Sequence, residues 1–330
     1  MELLGREGSI NREEKTKMPK KRLEIILAQP RGFCAGVKRA ISIVETAIER
    51  YGRPVWVLHE IVHNTHVIKN LSEAGAIFVE DIDEIPHKSI TIFSAHGVAT
   101  AIEKKAAQKG LKVIDATCPL VKKVHYQAQR YNKTGHDIVI IGHHGHPEVE
   151  GTLGRVKGKV TVVSTIEDVK RLKVTDPEKV AYVTQTTLST DDTRELIKEL
   201  KKRFPDIKGP NLRDICYATQ SRQDAVRKLA EEVDMLLVVG SQNSSNSNRL
   251  RETGTARGLP AYLVDNANHV DLKWFEGKST VGITAGASAP EVLVQDIIKM
   301  LERHFDLDVK PQNGKHETMQ FKLPKFPDFA

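Results

Sequence analysis

Three cysteines recur in the same local context along the chain, and this recurrence constrains the fold more than any other feature of the sequence. Cys34, Cys118 and Cys216 each follow a short apolar run and precede a helical pattern, and they stand 84 and 98 residues apart. Between them, continuous apolar runs rich in β-branched residues alternate with amphipathic helical patterns. This alternation is typical of parallel sheets that are covered by helices on both faces.

Each interval also carries two polar loops at matching distances from its cysteine. The first lies 28 or 29 residues beyond the cysteine and the second 62 to 72 residues beyond it, at positions His63, His96, His146, Thr186, Ser244 and Ser288. In open α/β sheets, ligands bind beyond the carboxyl ends of the strands. The sequence therefore predicts three similar α/β domains with parallel-type sheets, arranged with pseudo-threefold symmetry around a common site.

The cysteines also divide the chain into the expected domains. We expect a first α/β domain at 35–118, a second at 119–215, a third formed by 23–34 together with 216–303, and a C-terminal tail at 304–330. Residues 1–22 have no apolar signal core and too many acidic residues for a transit peptide, so we interpret them as a disordered extension. The sequence contains no targeting signal that we recognise, which predicts a cytoplasmic protein.

The net charge of +7 raises the question of a nucleic-acid partner, but the distribution of charge argues against one. Both signs are interspersed and only 5% of the residues are aromatic, whereas nucleic-acid-binding proteins concentrate Lys and Arg on one face and often add aromatic side chains. The longest apolar runs are too short to cross a bilayer. We therefore expect no nucleic acid and no membrane as partners, and a small anionic ligand suits the mildly positive surface.

The three cysteines form no CxxC pair, and a disulfide framework is not expected in a reducing compartment. Three interpretations stay open: unrelated core cysteines, a Cys₃His zinc site, or an iron–sulfur cluster. The matched positions after strands disfavour the first, and zinc ligands usually come in close pairs. A cluster held by three cysteines would leave one iron open for a substrate oxygen. This favours an enzyme that removes a hydroxyl group by reduction.

Hydroxyl and amide side chains in two loops predict an anion site. The segment GSQNSSNSNRL begins a helix with Ser244, Ser245 and Asn246, where free backbone N–H groups also attract anions. Ser288 lies just before a proline at another helix start. A plain N-cap would explain one such residue but not the whole run, so we favour a phosphate site.

Three histidines lie in short loops near the predicted strand ends, in the segments HEIVHN, SAHGV and GHHGHPEVEG. They are His63, His96 and His146, and each can form a charge-assisted hydrogen bond to a phosphate near neutral pH. The alternatives are structural histidines and, for HGHPE, metal ligands. We interpret them as phosphate donors because they would face the predicted anion loops.

Glu148 is the one carboxylate among these loops that the pattern does not place on a helix surface. Burial near anions would raise its pKa, so it is a candidate proton source. The alternative is an ordinary acidic residue in the first turn of a helix. Thr186 or Thr187 in TQTTLS could bond both Glu148 and a substrate oxygen.

Nine segments of the chain resemble the 4-hydroxy-3-methylbut-2-enyl diphosphate reductase family. They are PRGFCAGV, HEIVHN, FSAHGV, DATCPLV, GHHGHPEVEGT, TQTTLSTDDT, DICYAT, GSQNSSNSNRL and TAGASAP. The resemblance implies a [4Fe–4S]-dependent oxidoreductase with three α/β domains around one cluster per chain. It also implies conversion of (E)-4-hydroxy-3-methylbut-2-enyl diphosphate to isopentenyl and dimethylallyl diphosphate plus water, the last step of the non-mevalonate route to isoprenoid precursors.

The same resemblance implies a role for each site residue. Glu148 would deliver protons and Thr186 would orient the substrate hydroxyl. The cluster ligands would be Cys34, Cys118 and Cys216, with one iron not bound by cysteine, and the diphosphate would be held by His63, His96, His146, Ser244, Ser245, Asn246 and Ser288. Ferredoxin or flavodoxin would supply electrons to a monomer or weak homodimer. Two alternatives stay open: a quinolinate synthase–like enzyme with a three-cysteine cluster, and a non-catalytic metal-binding protein.

Overall fold

The strands of the described chain lie in three parallel sheets. The computed structural model describes residues 20–314 and 316–329. Its strands are β1 (Lys21–Leu27), β2 (Val55–Leu58), β3 (Ala76–Val79), β4 (Ile90–Phe93), β5 (Lys112–Asp115), β6 (Asp137–Ile141), β7 (Val160–Val163), β8 (Val180–Thr184), β9 (Met235–Val239), β10 (Ala261–Val264), β11 (Thr280–Ala285) and β12 (Phe305–Pro311). Every pairing between these strands is parallel, which confirms the predicted α/β class.

The three sheets repeat one strand order. It is β3–β2–β4–β5 in the first sheet, β7–β6–β8 in the second and β10–β9–β11–β1–β12 in the third. In the second sheet, a single parallel bridge between Ala181 and Lys208 stands where β5 and β1 stand in the other two. The repeat agrees with three equivalent units, and their boundaries and threefold arrangement stay predictions.

Helices cover both faces of these sheets. They are α1 (Ala35–Tyr51), α2 (Thr65–Ala74), α3 (Thr100–Gln108), α4 (Pro119–Lys133), α5 (Pro147–Leu153), α6 (Ile166–Arg171), α7 (Thr190–Arg203), α8 (Tyr217–Leu229), α9 (Ser245–Thr255) and α10 (Glu291–Glu302). In β8, Val183 packs in one core with Val124 of α4, whereas Tyr182 packs in another with Leu200 of α7. Each such buried side chain contributes about 2 kcal/mol. Among the described residues, no helix is long and apolar enough to cross a membrane.

Two expectations about the chain ends need correction. Residues 1–19 of the predicted disordered extension lie outside the described residues, but Lys21 and Arg22 begin strand β1. The predicted tail at 304–330 begins with β12, which pairs with β1 along all seven of its residues. The alternation of Phe305 and Leu307 with aspartates is a period-two strand signal that the sequence analysis overlooked. The third sheet therefore contains the first and the last strand of the described chain.

After β12, residues 312–314 and 316–329 run from the third sheet to the first unit, and we call them the C-terminal strap. Glu317 of the strap forms a bidentate ion pair with the fully buried Arg222 on α8, at 2.6 and 2.7 Å. Further along, Arg39 of α1 donates to the carbonyl of Lys322 at 3.0 Å, and Phe329 packs against the first core. The strap therefore ties the third unit to α1, the helix that begins after Cys34.

Candidate active site

Each cysteine is positioned by the same local construction. Cys34, Cys118 and Cys216 are the N-cap residues of α1, α4 and α8. Each also donates its backbone N–H to a carbonyl in the polar loop after a strand: Cys118 to Ala95 at 3.0 Å, Cys216 to Thr186 at 3.1 Å and Cys34 to Ala287 at 3.1 Å. Three helix N-termini therefore converge with their thiols, and such termini favour negative charge.

The three thiols line one pocket, and a glycine keeps the space beside two of them open. A Cβ atom built on Gly36 would lie 2.8 Å from the sulfur of Cys118 and 3.8 Å from that of Cys34. Burial, with the nearby Cys34 and Cys216 thiols, raises the pKa of Cys118 to about 12. Burial and Cys34 likewise raise the pKa of Cys216 to about 11. Three thiolates this close therefore need a cationic partner.

Three histidines from three loops stack beside the thiols. The ring centroids of His63 and His96 lie 4.4 Å apart, and His146 meets them edge-on at 5.6 and 5.8 Å. Burial and the neighbouring rings lower the pKa of His146 to about 3 and that of His96 well below its ordinary value. The rings of His96 and His146 are therefore neutral when no anion is bound, and a bound anion would favour their protonation.

Hydrogen bonds to residues other than the three histidines fix the orientation of two of these rings. Nδ1 of His63 lies 2.8 Å from a carboxylate oxygen of Glu60, so this nitrogen carries a proton. Nδ1 of His146 accepts the backbone N–H of Glu148 at 3.2 Å, which leaves the proton of the neutral ring on Nε2. The two rings are therefore oriented by the Glu60 carboxylate and by the backbone of Glu148.

Two buried polar atoms in the pocket have no partner within the described chain. They are Nε2 of His63 and Nδ2 of Asn246, whose Oδ1 accepts the backbone N–H of Ala287 at 2.8 Å. Beside them, the hydroxyl of Ser288 donates to the carbonyl of His63 at 2.9 Å and lies 3.5 Å from that of Ser244. An unpaired buried donor costs about 1–3 kcal/mol, so the Asn246 amide N–H points to an acceptor-rich ligand. Nε2 of His63, whose ring proton lies on Nδ1, becomes a second donor only in the doubly protonated ring.

Glu148 lies in the first turn of α5 and is almost completely buried. Its carboxylate accepts the backbone N–H of Thr186 at 2.6 Å, and its other oxygen lies 2.8 Å from the Thr186 hydroxyl. Burial raises the pKa of Glu148 to about 7, even though both Thr186 bonds favour the charged form. At neutral pH this carboxyl therefore exchanges between its two protonation states.

The structure shows which of the two threonines, Thr186 or Thr187, forms a hydrogen bond with Glu148. Thr186 bonds Glu148, whereas the Thr187 hydroxyl lies 3.0 Å from that of Ser245. All twelve predicted site residues line the same pocket: Cys34, His63, His96, Cys118, His146, Glu148, Thr186, Cys216, Ser244, Ser245, Asn246 and Ser288. Their individual roles stay predictions.

Sequence reasoning missed two other carboxylates near the site, so Glu148 does not stand alone there. Glu60 pairs with His63 and accepts a hydrogen bond from Asn243 at 2.9 Å. Asp214 is buried two residues before Cys216, and burial raises its pKa to about 6. The position of Glu60 three residues before His63, in one short loop, is the signal that could have identified it.

The positions of the three thiols bear on the interpretation of the cysteines as a zinc site. Within residues 20–314 and 316–329, no group of three His, Cys, Asp or Glu side chains is placed to hold a single metal ion. A zinc ion holds its sulfur ligands at about 2.3 Å. Among the described residues, the three thiols as positioned therefore do not form a site for a single zinc ion.

A sequence profile of the LytB protein family matches residues 25–302. The chain belongs to the LytB family. The match covers every strand and helix except β12 and the first four residues of β1, and it includes all twelve site residues.

Individual LytB proteins are similar over nearly the whole chain. A 4-hydroxy-3-methylbut-2-enyl diphosphate reductase of Rhodopseudomonas palustris is 57% identical over 91% of this chain and 98% of its own, and one of Burkholderia pseudomallei is 57% identical over 92% and 96%. The solved reductase of Plasmodium falciparum aligns with a TM-score of 0.86 at 38% identity, over 93% of this chain and 96% of that one. These likenesses favour the reductase over the quinolinate synthase–like alternative.

Proposed function

We propose that this protein reduces (E)-4-hydroxy-3-methylbut-2-enyl diphosphate to isopentenyl and dimethylallyl diphosphate plus water. The proposal follows the names of its relatives and one observation of this chain. A single pocket holds three thiols, amide, hydroxyl and imidazole groups that can bind an anion, and a buried carboxyl of raised pKa. A substrate with a diphosphate at one end and a hydroxyl at the other needs these three parts together.

The thiols fit a [4Fe–4S] cluster. Cys34, Cys118 and Cys216 are its proposed ligands, because they cap helices around a shared space and are too crowded to be thiolates without positive charge. When bound, the cluster would supply electrons one at a time and an iron without a cysteine ligand as Lewis acid.

The opposite side of the pocket would hold the diphosphate. Asn246 Nδ2 and the imidazole N–H groups donate to phosphate oxygens, and Ser244 and Ser288 add hydroxyls near the start of α9. Binding this remote group fixes the hydroxymethyl end beside Glu148 and Thr186. Energy from diphosphate binding thereby contributes to orientation at the reacting carbon.

The proton would travel from Glu148 through Thr186. When Glu148 is protonated, its carboxyl can donate to Oγ1 of Thr186, which frees the threonine hydroxyl to donate to the substrate oxygen. Cleavage of the C–O bond then releases water rather than hydroxide. Ferredoxin or flavodoxin is the proposed electron donor, and we propose that the enzyme works as a monomer or weak homodimer.

Anaerobic reconstitution with iron and sulfide, followed by an assay with the hydroxylated diphosphate and reduced methyl viologen, tests this function. We expect about four iron and four sulfide per chain and formation of both products. One zinc per chain and no turnover would instead indicate the non-catalytic metal-binding protein.

Glu148→Gln tests the proton source. We expect kcat to fall by about 10²- to 10⁴-fold with unchanged iron content and KM, because only the transferable proton is lost. Since the folded pKa of about 7 lies above the ordinary value, the wild-type kcat should be highest below pH 7 and fall as pH rises through 7. Glu150→Gln, on the exposed side of α5, is the matched control and should retain activity. Near-normal turnover of Glu148→Gln would remove Glu148 from this role.

A further inference from the structure

A second cavity, of about 520 Å³, lies outside the proposed active site, and we call it the α4 groove. One wall is the outer face of α4, with Lys123, Tyr126 and Arg130 at helical spacing. The other wall is the segment from Gly209 to Arg213. The function proposed above does not use this groove.

The groove is positive and has an exposed aromatic ring. It is lined by Lys123, Arg130 and Arg213, and none of its lining residues is acidic. Across the described part of the chain, neither Arg130 nor Arg213 has an ion-pair partner, and only Lys123 meets a carboxylate, that of buried Asp214 at 3.7 Å. The side chain of Tyr126 is unpacked, with 68% of the residue exposed. Free cations around an exposed tyrosine are typical of a surface that binds an acidic partner.

Both walls of the groove lead directly to cluster ligands. The helix α4 has Cys118 as its N-cap, and Lys123 lies five residues beyond it, about 7.5 Å along the helix axis. The second wall reaches Cys216 three residues after Arg213. Lys123 also joins the walls by donating to the carbonyl of Arg213 at 2.9 Å. The groove is therefore a positive surface on the two segments that carry Cys118 and Cys216.

We propose that the α4 groove is the docking surface for an acidic protein that carries one electron at a time. The proposal rests on the reductase function above, in which ROH + 2 e⁻ + 2 H⁺ gives RH + H₂O. The two electrons therefore come from two molecules of reduced carrier, each oxidised by one electron, and the groove is where each carrier binds.

The character of the groove favours a protein over a small anion. Its three cations are exposed rather than buried, so they attract a charged surface at long range but form no closed anion pocket. Electron-transfer complexes are small and short-lived, and complementary charge raises their association rate more than their affinity. An exposed tyrosine between cations suits such a contact.

The double variant Arg130→Glu, Arg213→Glu tests the docking surface. With a reduced acidic [2Fe–2S] ferredoxin as donor, we expect its kcat/KM for the donor to fall roughly 10- to 100-fold at low salt, and the salt dependence of the wild type to disappear. With reduced methyl viologen as donor, turnover should stay within about twofold of the wild type.

Lys198→Glu with Lys202→Glu is the control, because these exposed lysines lie on α7, which packs against the opposite face of the same sheet. It makes the same change in net charge and should leave the ferredoxin rate unchanged. Equal effects of the two double variants would overturn the docking proposal. Titration calorimetry of the cluster-loaded chains with ferredoxin measures docking independently of turnover, and equal affinities of the wild type and the α4 variant would also overturn it. Absence of viologen-driven turnover in the wild type would instead contradict the reductase function.

Discussion

Two sides of the pocket differ in how their residues are positioned. We call the side with the three cysteines the thiol side, and the side with Asn246 and the histidines the anion side. On the thiol side, the same construction occurs three times: a cysteine that caps a helix and donates its N–H to the loop after a strand. On the anion side and around Glu148, the equivalent loops differ. The loops after β2 and β4 supply His63 and His96, those after β6 and β8 supply His146 and Thr186, and those after β9 and β11 supply Ser244 and Ser288.

This difference follows from the shapes of the two proposed ligands. An iron–sulfur cube presents equivalent corners, so one repeated element can meet three of them. The proposed substrate has two unlike ends, so the loops around it cannot all be alike. The repeated fold would therefore position the proposed cluster, and the differing loops would position the proposed substrate.

Replacing each cysteine in turn by serine should produce the largest effect, and the same effect three times. We expect Cys34→Ser, Cys118→Ser and Cys216→Ser each to lose the brown cluster absorbance and essentially all turnover, measured by visible spectroscopy, iron analysis and the viologen assay. The physical reason is that the three positions are built alike. A fully loaded cluster in Cys118→Ser would overturn the ligand assignment.

Asn246→Asp should produce a smaller effect, confined to the anion side. The aspartate can still accept the N–H of Ala287, but it replaces the unpaired Nδ2 donor by a negative oxygen. Facing a diphosphate, this exchange should raise KM and the inhibition constant of inorganic pyrophosphate by about 100-fold, while the iron content stays normal. Asn248→Asp is the control, because the Asn248 amide donates to the backbone carbonyls of Gln242 and Ser244 and is not left unpaired. An unchanged pyrophosphate constant for Asn246→Asp would exclude the anion from this side.

The parts of the fold that repeat were the parts that the sequence predicted. The strand–cysteine–helix pattern around Cys118 and its two equivalents located the sheets and the thiols, because buried parallel strands and helix starts leave strong local signals. The loops also reached the predicted pocket, since strand ends converge at one edge of a sheet.

The parts that depend on contacts between distant segments were not predicted. The pairing of Glu60 with His63 and of Arg222 with Glu317 needs side-chain directions that no local pattern gives. Strand β12 was assigned to a tail because the alternation of apolar and charged residues there was overlooked, and because its partner strand β1 lies at the opposite end of the described chain. The choice of Thr186 over Thr187 likewise depended on which hydroxyl faces Glu148.

On the thiol side, the loop before Cys34 has an extra contact with Arg222, and a variant of the C-terminal strap tests the effect of that contact. Arg222 donates to the carbonyl of Gly32, two residues before Cys34, at 2.6 Å and pairs with Glu317 of the strap. Glu317→Gln leaves the buried guanidinium without a counter-charge, so we expect the free energy of unfolding to fall by about 2 kcal/mol. The partly exposed pair between Glu24 and Lys310 provides the control, and Glu24→Gln should lower the free energy of unfolding by less than about 1 kcal/mol.

Because Arg222 contacts the loop of Cys34 and not those of the other two cysteines, Glu317→Gln should also release iron to a chelator a few-fold faster than the wild type, at a temperature where both proteins are fully folded. Equal release rates at that temperature would show that the strap stabilises the fold without positioning Cys34.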